Sequence, residues 1–113
     1  MTSGYADFEA FRSVDLRVGT VVSAAPNAKA RTPAYVLEID LGELGVRTSS
    51  AQITDLYAAE DLPGRQVLCA CNFAPKRVAG VKSEVLVLGA YDAANRVTLA
   101  GFDHPVPNGT PLQ

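Results

Sequence analysis

Three cationic side chains stand close together in a polar segment between two apolar runs of the chain. Lys76, Arg77 and Lys82 lie in the middle of the stretch Val67–Ala90, and the nearest acid is Glu84. Cations at this spacing can bind phosphates, and binding residues concentrate on segments held between rigid elements. The sequence therefore predicts a binding site in this stretch, although a basic loop that contacts only solvent would show the same pattern.

Groups that could perform catalysis or hold a metal are sparse. The single histidine, His104, precedes a proline in the tail, and no serine lies in a nucleophile-elbow motif. Cys69 and Cys71 are two positions apart on a predicted strand, which is too far for an easy disulfide. Together with one histidine they fall short of a four-ligand zinc site. We expect no enzymatic activity, no cofactor and no metal, with two inert buried thiols and His104 at the surface or in an interface.

Composition predicts one globular domain spanning residues 1–113. Apolar residues make up 48% of the chain and charged residues 19%, which is typical of folded domains. The formal net charge of -2 argues against an extensive phosphate-binding surface but permits a local basic patch. No apolar run reaches the roughly 18–20 residues of a membrane span, and the N-terminus lacks the pattern of a secretory signal. We therefore expect a cytoplasmic location and no membrane partner.

The elements that position these side chains are short strands. Tyr35–Leu41 alternates apolar and polar residues, as a half-buried strand does. Gly19, inside the β-branched run Leu16–Val22, predicts a bulge or a bend. Helical spacing predicts a helical turn at Asp7–Phe11 and a short helix at Ile53–Tyr57. Further strands are predicted at Val46–Ser50, Val67–Phe73, Val85–Ala90 and Val97–Ala100.

This order of elements predicts an all-β fold. We expect a five-stranded OB-type Greek-key barrel with a short helix between strands three and four and a short N-terminal helical turn. Strands such as Val67–Phe73 carry apolar residues on both faces, whereas a small barrel buries only its inner face. The outer apolar positions need a cover, which the terminal segments and a second subunit can supply. The pattern therefore predicts a homodimer.

Five longer segments are similar to a known family. They are Asp15–Thr20, Ser49–Thr54, Asn72–Gly80, Lys82–Gly89 and Pro105–Thr110. With these segments the chain resembles the CsaA-type export-related chaperones, which belong to the tRNA-binding-domain group of OB folds together with the C-terminal domain of methionyl-tRNA synthetase and the EMAP-type proteins. The resemblance implies a homodimer whose interface is built by terminal extensions, here residues 1–13 and 101–113. It also implies two activities, the binding of unfolded or secretory polypeptides and the binding of tRNA.

One short motif departs from the tRNA-binding members of this group. Those members usually have Ser-x-Gly-Met where this chain has Ser83–Leu86. Ser83 is retained, but Val85 and Leu86 occupy the Gly and Met positions. The departure favours the chaperone branch of the family.

The first functional hypothesis is a chaperone that binds unfolded or export-bound polypeptides in an apolar groove with a polar rim. Its apolar contacts would be Phe73, Val78, Val81 and Leu86, and its rim would be Asn72, Arg77, Lys82 and Glu84. The alternative is that Phe73 and Leu86 are ordinary core residues and do not contact a ligand.

The second hypothesis is tRNA or single-stranded RNA binding as the primary function, on the same face. Lys76, Arg77 and Lys82 would contact phosphates, while Asn72, Ser83 and Glu84 would contact base edges. Arg47 on the third strand, with Lys29 and Arg31 in the first loop, would extend the basic surface.

Overall fold

Strands are the main regular elements of the molecule, and helix is scarce. A computed structural model describes residues 4–113, and Met1–Ser3, the start of the predicted N-terminal extension, lie outside the described residues. One helix, α1, spans Phe8–Ser13, and 3-10 turns span Gly42–Leu44 and Ala59–Asp61. The strands are β1 Leu16–Pro26, β2 Tyr35–Asp40, β3 Val46–Ala51, β4 Gln66–Ala70, β5 Lys76–Val78, β6 Val81–Ser83, β7 Leu86–Val87, β8 Gly89–Tyr91 and β9 Val97–Leu99.

The predicted OB-type barrel is confirmed. Five antiparallel strands form one sheet in the order β3-β2-β1-β4-β7, and the sheet curls until β3 approaches the segment between β6 and β7. There the Glu84 amide donates to the Thr48 carbonyl at 2.7 Å, the Thr48 amide donates to Glu84 Oε1 at 3.0 Å, and the Ser50 amide donates to Ser83 Oγ at 3.0 Å. These three bonds, the barrel seam, nearly close the barrel.

The core lies inside this barrel and follows the period of two predicted for β2. Leu37 and Ile39 are fully buried, while Glu38 between them is exposed. Gly19 serves close packing, because a Cβ added there would lie 2.5 Å from Ile39 Cγ2. The bulge expected at Gly19 instead falls beyond it, where the β1–β2 register shifts between Val21 and Ser23.

The helical element between β3 and β4 lies later than the sequence predicted. Ile53–Tyr57 is not a helix, and the 3-10 turn at Ala59–Asp61 takes its place. Long-range bonds explain the difference: Tyr35 Oη donates to the Tyr57 carbonyl at 2.7 Å, and the Leu99 amide donates to Tyr57 Oη at 2.9 Å. These bonds hold Tyr57 against β2 and β9, so tertiary contacts override the helical spacing of Ile53, Leu56 and Tyr57.

Helix α1 and the C-terminal tail both lie at the start of β1. The N-terminal helical turn is confirmed as α1, whose first turn is capped by the Asp7 carboxylate accepting from the Glu9 amide at 3.3 Å. The tail runs beside β1, with the Val18 amide donating to the Thr110 carbonyl at 3.0 Å. Within residues 4–113, no helix is long and apolar enough to cross a membrane.

Candidate binding groove

The predicted basic loop is itself a β-hairpin. β5 and β6 pair antiparallel, with Val78 opposite Val81 on either side of the two-residue turn Ala79–Gly80. Both turn residues have positive φ, 47° and 84°, as a type I′ turn requires, and such turns match the twist of paired strands. The sequence signal for this hairpin was the Ala-Gly pair between two valines, which is weaker than Asn-Gly because alanine rarely adopts positive φ. The hairpin places the cations on strands instead of a flexible loop.

Three adjoining cavities run beside this hairpin and form what we call the binding groove. The first, about 320 Å³, is lined by Phe73 and Leu86. The second, about 580 Å³, shares Leu86 and Lys76 with the first and adds Tyr91. The third, about 380 Å³, adjoins the second at Val78. Cavities of roughly 300–1,000 Å³ are typical of ligand sites, so the groove offers a continuous recess on the barrel surface.

Large apolar side chains are exposed in this groove. Phe73 is 56% exposed, Leu86 53% and Tyr91 73%. They are therefore not ordinary core residues, which was the alternative for Phe73 and Leu86. Sequence analysis did not select Tyr91, because its position depends on the pairing of β8 with β9, where Tyr91 lies opposite Val97. Exposed apolar groups gathered in a recess are characteristic of an interaction site.

The cations of the groove lack acidic partners. Lys76 and Arg77 line the second cavity and Lys29 and Arg31 line the third. The ion pairs among residues 4–113 involve only Arg12, Arg17 and Arg96. The groove therefore presents positive charge that no neighbouring carboxylate neutralises by an ion pair, on a chain whose net charge is -2.

Several predicted site residues serve the scaffold with their polar atoms. Asn72 lies away from the groove: its Oδ1 accepts from the Asp15 amide at 2.9 Å, and its Nδ2 donates to the Ser13 carbonyl at 2.8 Å. Ser83 and Glu84 line the first cavity, but their side chains accept the bonds of the barrel seam. Asn72 thus joins the end of α1 to the end of β4, a role that local sequence could not reveal because its partners are far away in the chain.

The remaining predicted residues divide between groove and periphery. Val78 lines all three cavities, whereas Val81, Lys82 and Arg47 line none of them. Lys82 lies opposite Arg77 across the hairpin. Arg47 donates from Nε to the Leu44 carbonyl at 3.1 Å, which holds it at the turn before β3.

A separate recess of about 500 Å³ lies between the chain ends and is called the terminal cavity below. Phe8, Phe11, Leu16, Asn72 and Leu112 are among its lining residues. Both phenylalanines are exposed, with ring centroids 5.9 Å apart. The terminal cavity is thus a second recess with exposed aromatic rings, lined largely by described residues of the two predicted extensions.

The two cysteines form no disulfide and show no sign of activation. Burial raises the pKa of Cys69 from 9.0 to about 12, and burial also raises the pKa of Cys71. A thiol with a raised pKa remains protonated and is a poor nucleophile at neutral pH. His104 is exposed in the tail, and residues 4–113 contain no cluster of three or more His, Cys, Asp or Glu that could hold a metal ion.

Fold and groove together define the class of this molecule as a small OB-type β-barrel with an exposed, partly apolar and cationic recess. Residues 16–111 match the family described as "Putative tRNA binding domain". The chain belongs to this family, which confirms the resemblance inferred from the sequence.

Similar proteins fall into two groups. Among solved structures, the chaperone CsaA from Bacillus anthracis is 53% identical with a TM-score of 0.91, covering 97% of this chain and 100% of that chain. CsaA from Picrophilus torridus is 35% identical with a TM-score of 0.89, covering 96% and 100%. Among curated proteins, a methionine–tRNA ligase from Methanococcoides burtonii is 37% identical over 103 residues, 91% of this chain. The chain spans about 15% of the length of that ligase, so the likeness concerns one part of it.

Proposed function

We propose that this protein is a chaperone that binds unfolded, export-bound polypeptides in the groove. The observation that carries the proposal is the presence of Phe73, Leu86 and Tyr91, each more than half exposed, in adjoining cavities of one recess. The two similar structures described as CsaA chaperones support it. The proposed activity is non-catalytic, and a cytoplasmic location stays a prediction.

Binding of this kind follows from apolar burial. An unfolded chain exposes leucines, valines and aromatics, and each such group gains free energy when it leaves water against Phe73, Leu86 or Tyr91. An open groove imposes little shape selection, so many sequences can bind weakly and reversibly. The hydrogen-bonded strands beneath it keep the recess formed before the ligand arrives, which avoids an ordering cost.

Suppression of aggregation tests the proposal. A chemically denatured client is diluted into buffer with the protein at increasing molar ratio, and light scattering is followed. Wild-type protein should reduce the scattering. The double variant Phe73→Ala, Tyr91→Ala should suppress aggregation much less, so that most of the scattering returns, while circular dichroism shows that its fold is intact. No reduction by wild-type protein at several-fold molar excess would contradict the proposed chaperone activity.

A second candidate function, tRNA or single-stranded RNA binding, is favoured by the cations without acidic partners and by the family match. Lys76 and Arg77 would contact phosphates, with Lys29 and Arg31 continuing the basic surface. Affinity should fall steeply with salt, with a log–log slope of about -0.7 per neutralised phosphate on a single strand. Mobility shifts that do not change when Lys76 and Arg77 are both replaced by Gln would contradict this version.

We also propose that the protein is a homodimer joined through the terminal cavity. Exposed Phe8 and Phe11 beside Leu112 would be covered by a second copy. Sedimentation should show a dimer at micromolar concentration, and Phe8→Ser with Phe11→Ser should shift it to monomer. A wild-type monomer under these conditions would refute the arrangement.

A further inference from the structure

We propose that RNA and polypeptide exclude one another from the groove, so that tRNA displaces a bound polypeptide by direct competition. This inference rests on the proposed function, and it adds a means by which that function is controlled. It depends on where the two chemistries lie. The apolar contacts and the cations are not on separate faces of the barrel but line the same cavity.

The overlap is visible in the second cavity. Lys76 and Arg77 line it together with Leu86 and Tyr91, and Lys76 and Leu86 also line the first cavity beside Phe73. A phosphate bound by Lys76 would therefore occupy space that an apolar side chain needs in order to reach Leu86, because these two residues line the same two cavities. This cavity has a volume of about 580 Å³, which is in the range that holds one ligand of drug size. A nucleotide seated in it would therefore leave no room there for an apolar side chain of a polypeptide.

An acidic and a hydroxyl group beside the cations are already bonded within the barrel. Ser83 and Glu84, which also line the first cavity, have side-chain oxygens bonded to the Ser50 and Thr48 amides of the barrel seam. Among the charged side chains of the second cavity, only cations occur. Both ligands would therefore contact the same lining of the second cavity. They differ in the interaction that holds them, which is electrostatic for RNA and apolar for a polypeptide.

The two forces respond differently to salt. Contacts between cations and phosphates weaken as ionic strength rises. Binding releases counterions from the RNA, and their release gains less free energy when the surrounding salt is already concentrated. Apolar contacts do not weaken in this way. The occupant of the groove is therefore set by RNA concentration and ionic strength together, with RNA favoured at low salt and polypeptide at high salt.

Competition binding tests the inference. The probe is a labelled short peptide of Ser, Gly, Leu and Phe without charged side chains, followed by fluorescence anisotropy while unlabelled tRNA is added. With tRNA at about ten times its own dissociation constant, one-site mass action raises the apparent dissociation constant of the peptide about elevenfold. Further tRNA should raise it in proportion and without a plateau.

A matched pair of variants locates the effect. Arg77→Gln removes a cation of the groove and should reduce the salt slope of tRNA binding by about one unit, so more tRNA is needed to displace the peptide. Arg65→Gln removes the same charge from a residue outside the groove, whose guanidinium lies 5.0 Å from the Tyr57 ring centroid. Its competition curve should match that of wild-type protein.

The outcomes are distinguishable. Displacement that grows without limit and weakens in Arg77→Gln supports exclusion. A peptide dissociation constant that is unchanged by tRNA, or that rises to a plateau, means that both ligands bind at once or at separate sites, and overturns the inference while the chaperone proposal stands. Absence of peptide binding even without tRNA overturns the proposed function itself.

Discussion

Leu86→Ala gives a quantitative test of the groove as a polypeptide-binding surface. Full burial of a leucine side chain contributes about 1.5–3 kcal/mol. Because 53% of Leu86 is exposed in the free protein, a ligand that covers it completely should gain about 1 kcal/mol from this residue. Truncation to alanine should therefore weaken peptide binding about fivefold. The fold should persist, since the backbone of Leu86 still pairs with Ala70 in the ladder.

The assay is anisotropy of a labelled uncharged peptide, with stability measured by urea unfolding. Leu56→Ala is the matched control, because Leu56 is 42% exposed and lines none of the three cavities of the groove. It removes the same atoms from a comparable environment and should change peptide affinity by less than about twofold, as surface substitutions outside an interface do.

Two results would refute the reasoning. If both leucine variants lost affinity equally, the peptide would be binding to apolar surface in general and not to the groove. If Leu86→Ala remained folded and bound as tightly as wild-type protein, Leu86 would not be covered by the ligand, and the groove would lose a central contact.

Three further predictions concern the scaffold. Gly19→Ala should lower the free energy of unfolding by about 1–3 kcal/mol through overpacking against Ile39; urea unfolding measures this, and an unchanged midpoint would contradict the close approach. Asn72→Ala should speed hydrogen exchange of the Asp15 amide, which donates to Asn72 in the native protein; unaltered exchange would remove Asn72 from its joining role. Cys69, whose pKa burial raises from 9.0 to about 12, should resist alkylation in native protein. Because the unfolded state loses this proton at lower pH than the native state, the free energy of unfolding should fall as pH rises from about 9 towards 12, and a stability that rises across this range would contradict the assignment.

Periodicity predicted the barrel well because its signals are local. The alternation at Leu37 and Ile39 reports which side of β2 faces the core, and it holds whatever the strand pairs with. The β5–β6 hairpin was missed as a strand pair because its turn depends on Ala79 adopting a positive φ that alanine seldom takes. The pairing of β5 with β6 stabilises that conformation, and nothing in the local sequence indicates this pairing.

The site was harder to predict because long-range contacts decide which polar residues remain available. Lys76 and Arg77, which the sequence predicted as binding residues, line the groove, and their role in binding stays a prediction. Asn72 looked like a ligand contact in sequence, yet its amide is bonded to Ser13 and Asp15. Tyr91 was overlooked for the opposite reason: only the pairing of β8 with β9 brings it into the groove.

The barrel seam is a line along which the barrel can open locally. Parting β3 from the segment that runs from Ser83 to β7 breaks three hydrogen bonds, at a net cost of about 1 kcal/mol each, and it also uncovers Val85, which is 4% exposed. Local opening of this kind costs less than global unfolding. Ser50 on one side of this line and Leu86 on the other both border the groove. A ligand that contacts both sides would hold them together, so its binding should slow proteolytic cleavage at the seam. Any bound client would then stabilise the closed barrel for as long as it stays bound.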